Sequence, residues 1–186
     1  MRKLASILFG LALVALATSN PEETTAQRLT TLLRERLLVS REIAMARYNA
    51  GPTHDDLLHE EQPIPIDTKP RESYIDRILT AAHQEHEFAY RVVGAQVEAG
   101  EIAQRLFLAK WKRENHRKFT NVPSLATSKQ RAKNLDLAIA RMSGRQALGT
   151  SWQLFKSAAA KVQFPKGDRD CFDQAWKTAI IPITSP

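Results

Sequence analysis

Residues 22–50, EETTAQRLTTLLRERLLVSREIAMARYNA, decide the fold class. Leu29, Leu32, Leu33, Leu37, Ile43 and Ala44 recur at three- and four-residue spacing, and neither Pro nor Gly interrupts them before Gly51-Pro52. The pattern predicts a helix of about seven turns with one apolar stripe. Downstream, residues 51–70 carry four of the nine prolines among scattered acids and read as a loop with at most a short helical turn. Pro70 suits the first turn of a second helix running from about Arg71 into the eighties. Phe88, Val93, Val97, Leu106, Leu108 and Trp111 signal a third helix continuing toward Arg117. After a loop near Val122-Pro123-Ser124, helical periodicity covers Ser128 to Val162 with a break near Gly144 or Gly149. A last short helix includes Cys171 to Ala179, before a Pro-punctuated tail. Nothing alternates as a strand, and no internal repeat is visible. The expected fold is all-α, a helical bundle of about six helices.

The chain has 186 residues, enough for one globular unit or two small lobes sharing a core. Seven Gly and nine Pro beside 25% charged residues exclude collagen-like and low-complexity classes, and a single Cys excludes a disulfide-stapled miniprotein. Stability is therefore expected from packing, with Cys171 as a buried thiol. Arg2 and Lys3 precede the apolar run Leu4 to Leu16, and Ala15-Leu16-Ala17 is placed as a cleavage signal. Residues 1–17 read as a secretory signal peptide, the run being too short for a stable membrane span. The expected location is the periplasm or the exterior.

Charge is uneven along the mature chain. Residues 18–114 hold 13 Lys+Arg and 16 Asp+Glu, whereas residues 115–186 hold 12 and 4. The basic half suits an anionic partner or a solvated surface. Nucleic acid is excluded as the expected partner, because no reader motif or interleaved aromatics accompany the charge.

Polar residues on apolar faces carry the functional signal. Arg36 and Arg47 are eleven residues apart, within about 20° of three full turns and roughly 16 Å along the axis. They share a face with Leu29, Leu33, Ser40, Ile43 and Ala44, so both guanidiniums are expected within or beside the stripe that meets the core. A buried guanidinium requires an anion. On the third helix Val93, Val97, Gly100, Gln104, Leu108 and Trp111 form a second stripe, interrupted by a small residue and an amide. The segment Asp67-Thr68-Lys69-Pro70-Arg71-Glu72 brings acid and base together at a helix N-terminus. Together these residues would line a cationic pocket for a small dianion inside a helical bundle.

This order and spacing, Arg36, Arg47, Pro65-Ile66-Asp67, Arg71-Glu72, residues 96–104 (QVEAGEIAQ) and Trp111, resembles the helical chorismate mutases, most closely their secreted monofunctional subclass. The resemblance covers roughly residues 24–114. It implies a chorismate-mutase-like core over residues 18–118 and a helical C-terminal extension over 119–186 that packs on it. It also implies rearrangement of chorismate to prephenate with no cofactor, metal or covalent intermediate. By the same resemblance Arg36 grips a carboxylate, and Arg47 stands where the family usually has a Lys that meets a carboxylate and the ether oxygen. Gln104 donates to that oxygen, Glu72 accepts from the ring hydroxyl, and Arg71 supports the site. Arg141 from the C-terminal half completes the pocket, with Arg145 the next candidate. Gly100 stands at a position normally Ser or Thr. The family's loop Asp is displaced, Asp67 lying four residues and Thr68 three before Arg71.

Other constellations are weaker. His83 with His86, and His54-Asp55-Asp56 with His59, lack a complete metal ligand set and read as exposed polar positions. No phosphate-cradling Gly loop, dinucleotide fingerprint or zincin helix is present. Trp111, Trp152 and Trp176 read as core anchors. Two functions of different class follow: an exported chorismate mutase acting alone or as a homodimer, or a non-catalytic helical protein of the same type binding a small aromatic dianion or an anionic partner.

Overall fold

The computed structural model describes residues 25–51, 68–84, 86–143 and 152–184. Among these residues the fold is all-α. Six α-helices follow in order, α1 (Thr25–Ala50), α2 (Thr68–Ala82), α3 (Glu87–Arg113), α4 (Leu125–Met142), α5 (Trp152–Ala160) and α6 (Arg169–Thr184), with a 3₁₀ turn over Lys166–Asp168 leading into α6. The signal peptide expected over residues 1–17, the proline-rich loop with Asp67 and the His54–His59 cluster, Arg145, and the side chains of Thr68 and Trp152 lie outside the described residues.

The chain stops its helices with local chemistry that the apolar pattern does not report. α3 was expected to run toward Arg117, but it ends at Arg113. Asn115 takes a left-handed φ of 51°, its N–H returns to the Lys112 carbonyl, and His116 N–H returns to the Trp111 carbonyl. This is the Schellman arrangement, with Asn in the place usually held by Gly. His83, φ 55°, closes α2 the same way, with His83 N–H on Thr80 O and Gln84 N–H on Leu79 O. At the start of α3, His86 Nδ1 accepts from Ala89 N–H, and Ser124 Oγ accepts from Thr127 N–H at the start of α4.

The long C-terminal periodicity divides into α4 and α5, and the last helix is longer than its sequence suggested. α6 carries Pro182 in its final turn, where the missing N–H removes one intrahelical bond, while the apolar stripe Phe172, Ala175, Trp176, Ala179 and Ile183 stays buried across it. Burial of that stripe outweighs one lost bond.

α1 lies at the centre, packed on α3 and α4. α2 bridges α3 and α4, α6 runs along α3, and α5 rests on α1 and α6. Leu29, Leu33, Leu37, Val92, Phe107, Ile139 and Phe172 form the interior. Trp111 and Trp176 are buried, and Cys171 is buried too, its thiol pushed up by desolvation. The C-terminal segment is fastened by Asp168, which accepts from Arg41 Nε at 2.6 Å and from Lys110 Nζ at 3.1 Å while Arg41 lies over the Phe107 and Trp111 rings. Asn49 pairs with both the N–H and the carbonyl of Phe119, at 2.8 and 2.9 Å, and the Phe119 ring meets Trp111 edge-on. No helix among the described residues is long and apolar enough to cross a membrane.

Candidate functional site

The stripe that buries Leu33, Leu37, Ser40 and Ala44 also carries Arg36 inward, so its side chain ends up 7% exposed. Its Nε donates to Asp136 Oδ1 at 2.9 Å and its Nη1 to Ser40 Oγ at 2.7 Å. Asp136 sits on α4 among Ala132, Ile139 and Ala140 and is fully buried. Its second oxygen accepts from the Tyr74 hydroxyl of α2 at 2.8 Å. Burial, the Asp136 charge and the bond to Asp136 all raise the Tyr74 phenol above its ordinary range, so the hydroxyl remains a donor throughout neutral and mildly alkaline pH.

α3 faces this group with its least bulky residue. A Cβ on Gly100 would stand 2.9 Å from Ser40 Oγ and 3.0 Å from Arg36 Nη1, closer than side chains pack, so the absence of one seats the guanidinium against the helix. Gln104, one turn on, is 9% exposed. Gln96, one turn back, is fully buried, and neither its amide nitrogen nor its amide oxygen has a partner. Beside Gly100, Glu101 accepts from Arg71 Nη2. Arg71 Nε is buried and lacks a partner. The face Gln96–Gly100–Gln104 of α3 therefore brings two amides and a closely packed glycine beside two guanidiniums, Arg36 paired with Asp136 and Arg71 with Glu101.

The remaining expected residues are elsewhere. Arg47 does not share the buried stripe with Arg36: it is exposed in the last turn of α1, where the core tapers and a long side chain reaches water. Glu72 is exposed on α2, and Arg141 is exposed in the last turn of α4, one residue past the buried Ala140. The C-terminal half reaches the site through Asp136 instead. Position alone would have found it, since residues 132, 136, 139 and 140 form a helical stripe with one carboxylate in it. Tyr74 had no comparable sequence signal. His83 is exposed and His86 serves as a cap.

No family model matches this chain, and no curated protein or solved structure matches it.

Proposed function

We propose that the chain is an exported chorismate mutase of the helical type, converting chorismate to prephenate by holding the dianion in a compact conformer. The observation that supports this reading is the oriented, nearly buried Arg36 guanidinium seated against a glycine, with Gln104 one turn along the same helix. In this reading Arg36 and the Arg71 Nε–H meet carboxylate oxygens, and Gln104 donates to the ether oxygen as negative charge develops there. Fixed donors in a dry site stabilise such charge without reorganising. Arg47 would have to turn inward from its exposed position to add the second cation at that oxygen. No proton is transferred in a pericyclic step, and Gln104 has none to titrate, so turnover is expected to change little from mildly acidic to neutral pH.

One observation favours the second reading, a non-catalytic helical protein of this type that binds a small aromatic dianion or an anionic partner. Asp136 already neutralises Arg36, and the cation expected at the ether oxygen is exposed. The two are separated by incubating purified protein with chorismate, following loss of its ultraviolet absorbance, and measuring binding by calorimetry. Turnover abolished by Arg47→Ala and by Arg71→Ala supports the enzyme. Chorismate bound but unchanged supports the second reading. Neither heat nor turnover would overturn the chorismate-type assignment.

A further inference from the structure

The last turns of α1 and α3 and the start of α4 meet at one end of the bundle, and the chain between α3 and α4 crosses that end as a fixed loop. The Tyr48 hydroxyl of α1 donates to the His116 carbonyl at 2.6 Å, and Asn49 holds Phe119 by both its backbone groups. Asn115 and Asn121 turn the loop with left-handed φ of 51° and 56°, and Ser124 caps the helix that follows. Residues 112–133 carry seven Lys+Arg and one acid, Glu114, and all seven cations are exposed. Arg131 pairs with Glu42 of α1, whereas Arg113, Arg117, Lys118, Lys129 and Lys133 have no ion-pair partner among the described residues.

Helix dipoles do not account for this charge. A cation is favoured at a helix C-terminus, which explains Arg113 in the last turn of α3. Arg117 and Lys118 lie in the loop instead, and Lys129 lies one turn into α4, near the end where a cation is disfavoured, with no acid in that first turn. Clustered like charges repel one another, and an anionic surface relieves that repulsion. The rings of Tyr48, Trp111, His116 and Phe119 contact one another, so they are not free to stack on nucleic-acid bases. Between Lys118 and Lys129 stand the half-buried Val122 and Pro123. Exposed cations flanking two partly exposed apolar side chains match the headgroup layer of an anionic bilayer.

We propose that this end of the bundle, with Arg117, Lys118 and Lys129 as its principal cations, docks the protein on an anionic phospholipid surface. The contact is peripheral and reversible, with the cations on lipid phosphates and Val122 at the boundary of the acyl region. It lies apart from Arg36 and does not depend on the chorismate reading. Because the loop is already held by α1, little freedom is lost when it docks.

The test is sedimentation of the full chain with vesicles of phosphatidylcholine alone or with about one-third phosphatidylglycerol. The difference between the two vesicles isolates the charge-dependent part, since an apolar contribution is common to both. One variant carries Arg117→Gln, Lys118→Gln and Lys129→Gln; a control of equal net charge carries Lys156→Gln, Lys161→Gln and Lys177→Gln, also at exposed positions. Wild type is expected to sediment with the anionic vesicles and to be released as salt is raised to about 0.5 M, where screening acts within roughly 4 Å. Each cation at such a surface contributes about fivefold, so the loop variant should bind roughly 100-fold more weakly and the control less than about fivefold. The emission added by Val122→Trp should move to shorter wavelength on the anionic vesicles. No added sedimentation with anionic lipid, retention at high salt, equal weakening of the two triple variants, or an unmoved Val122→Trp emission overturns the proposal. Tighter binding to a mixed-sequence DNA duplex than to the vesicles also overturns it, assigning the cations to another polyanion.

Discussion

Asp136→Ala is the severest single test of the buried site. It strands the Arg36 guanidinium in the interior and leaves the Tyr74 hydroxyl without its acceptor. Breaking one partner of a buried ion pair costs about 3–5 kcal/mol, because the surviving charge stays desolvated. Orphaning the half-buried Tyr74 hydroxyl adds up to about 1–3 kcal/mol. The expected loss, about 4–8 kcal/mol, is of the order of a typical domain's whole stability of about 5–15 kcal/mol. With urea slopes of about 1–3 kcal/mol per molar, the unfolding midpoint should fall by roughly 1.3 M or more, or the variant should be unfolded at the outset. Adding Arg36→Met to Asp136→Ala removes the stranded charge and should restore much of the loss, since apolar replacements for buried pairs are often neutral or stabilising. The assay is urea unfolding of wild type, both single variants and the double, read as a thermodynamic cycle. A loss below about 1 kcal/mol in Asp136→Ala, or a double variant no more stable than that single one, would refute a desolvated, coupled pair.

Four further outcomes are expected. Gly100→Ala exchanges helix-interior glycine for alanine, worth up to about 1 kcal/mol in propensity, against a Cβ that crowds Ser40 Oγ and Arg36 Nη1 and forces both to shift. Its melting temperature should stay within a few degrees of wild type while chorismate binding weakens, and unaltered binding would remove Gly100 from the site. Arg47→Ala should change stability by less than about 0.5 kcal/mol, as for other exposed positions, and a larger loss in urea unfolding would contradict its exposed placement. Asn49→Ala removes two bonds to the Phe119 backbone and should cost about 1–3 kcal/mol by the same measurement. The Tyr74 phenol is raised in the folded state, so its contribution is complete below the ordinary phenol value near 10 and is lost as pH climbs from there through the folded value. Stability measured between pH 9 and 11 should fall more steeply in wild type than in Tyr74→Phe, by up to about 1.4 kcal/mol per pH step; parallel curves would contradict the raised phenol.

The helices were legible because apolar spacing reports which side of a rod must be dry, and the stripe through Leu29, Leu33 and Leu37 has no competing reading. Their ends were less so. Asn115 and His83 stop helices by entering a left-handed conformation that residue type only weakly favours, and Pro182 is carried because the side chains around it are buried. Arg36 was legible for the same reason as the helix, a charge inside an apolar stripe. Arg47 has the same angular position and a different environment, because rotation fixes direction and says nothing about how far the core extends along the axis. Asp136 obeys the rule that revealed Arg36. Tyr74 was not legible, since an aromatic ring at a helical position states nothing about which acceptor its hydroxyl meets.

The Arg36–Asp136 bond spans 100 residues, and this has a consequence for how the polypeptide is made. During synthesis α1, α2 and α3 emerge while the counter-charge for α1 is still to be translated, so the leading half cannot close its interior without trapping a naked cation. Collapse therefore waits for the trailing half. A ribosome stalled before α4 should display a chain that proteases cut freely, and one stalled well beyond α6 a chain that resists them.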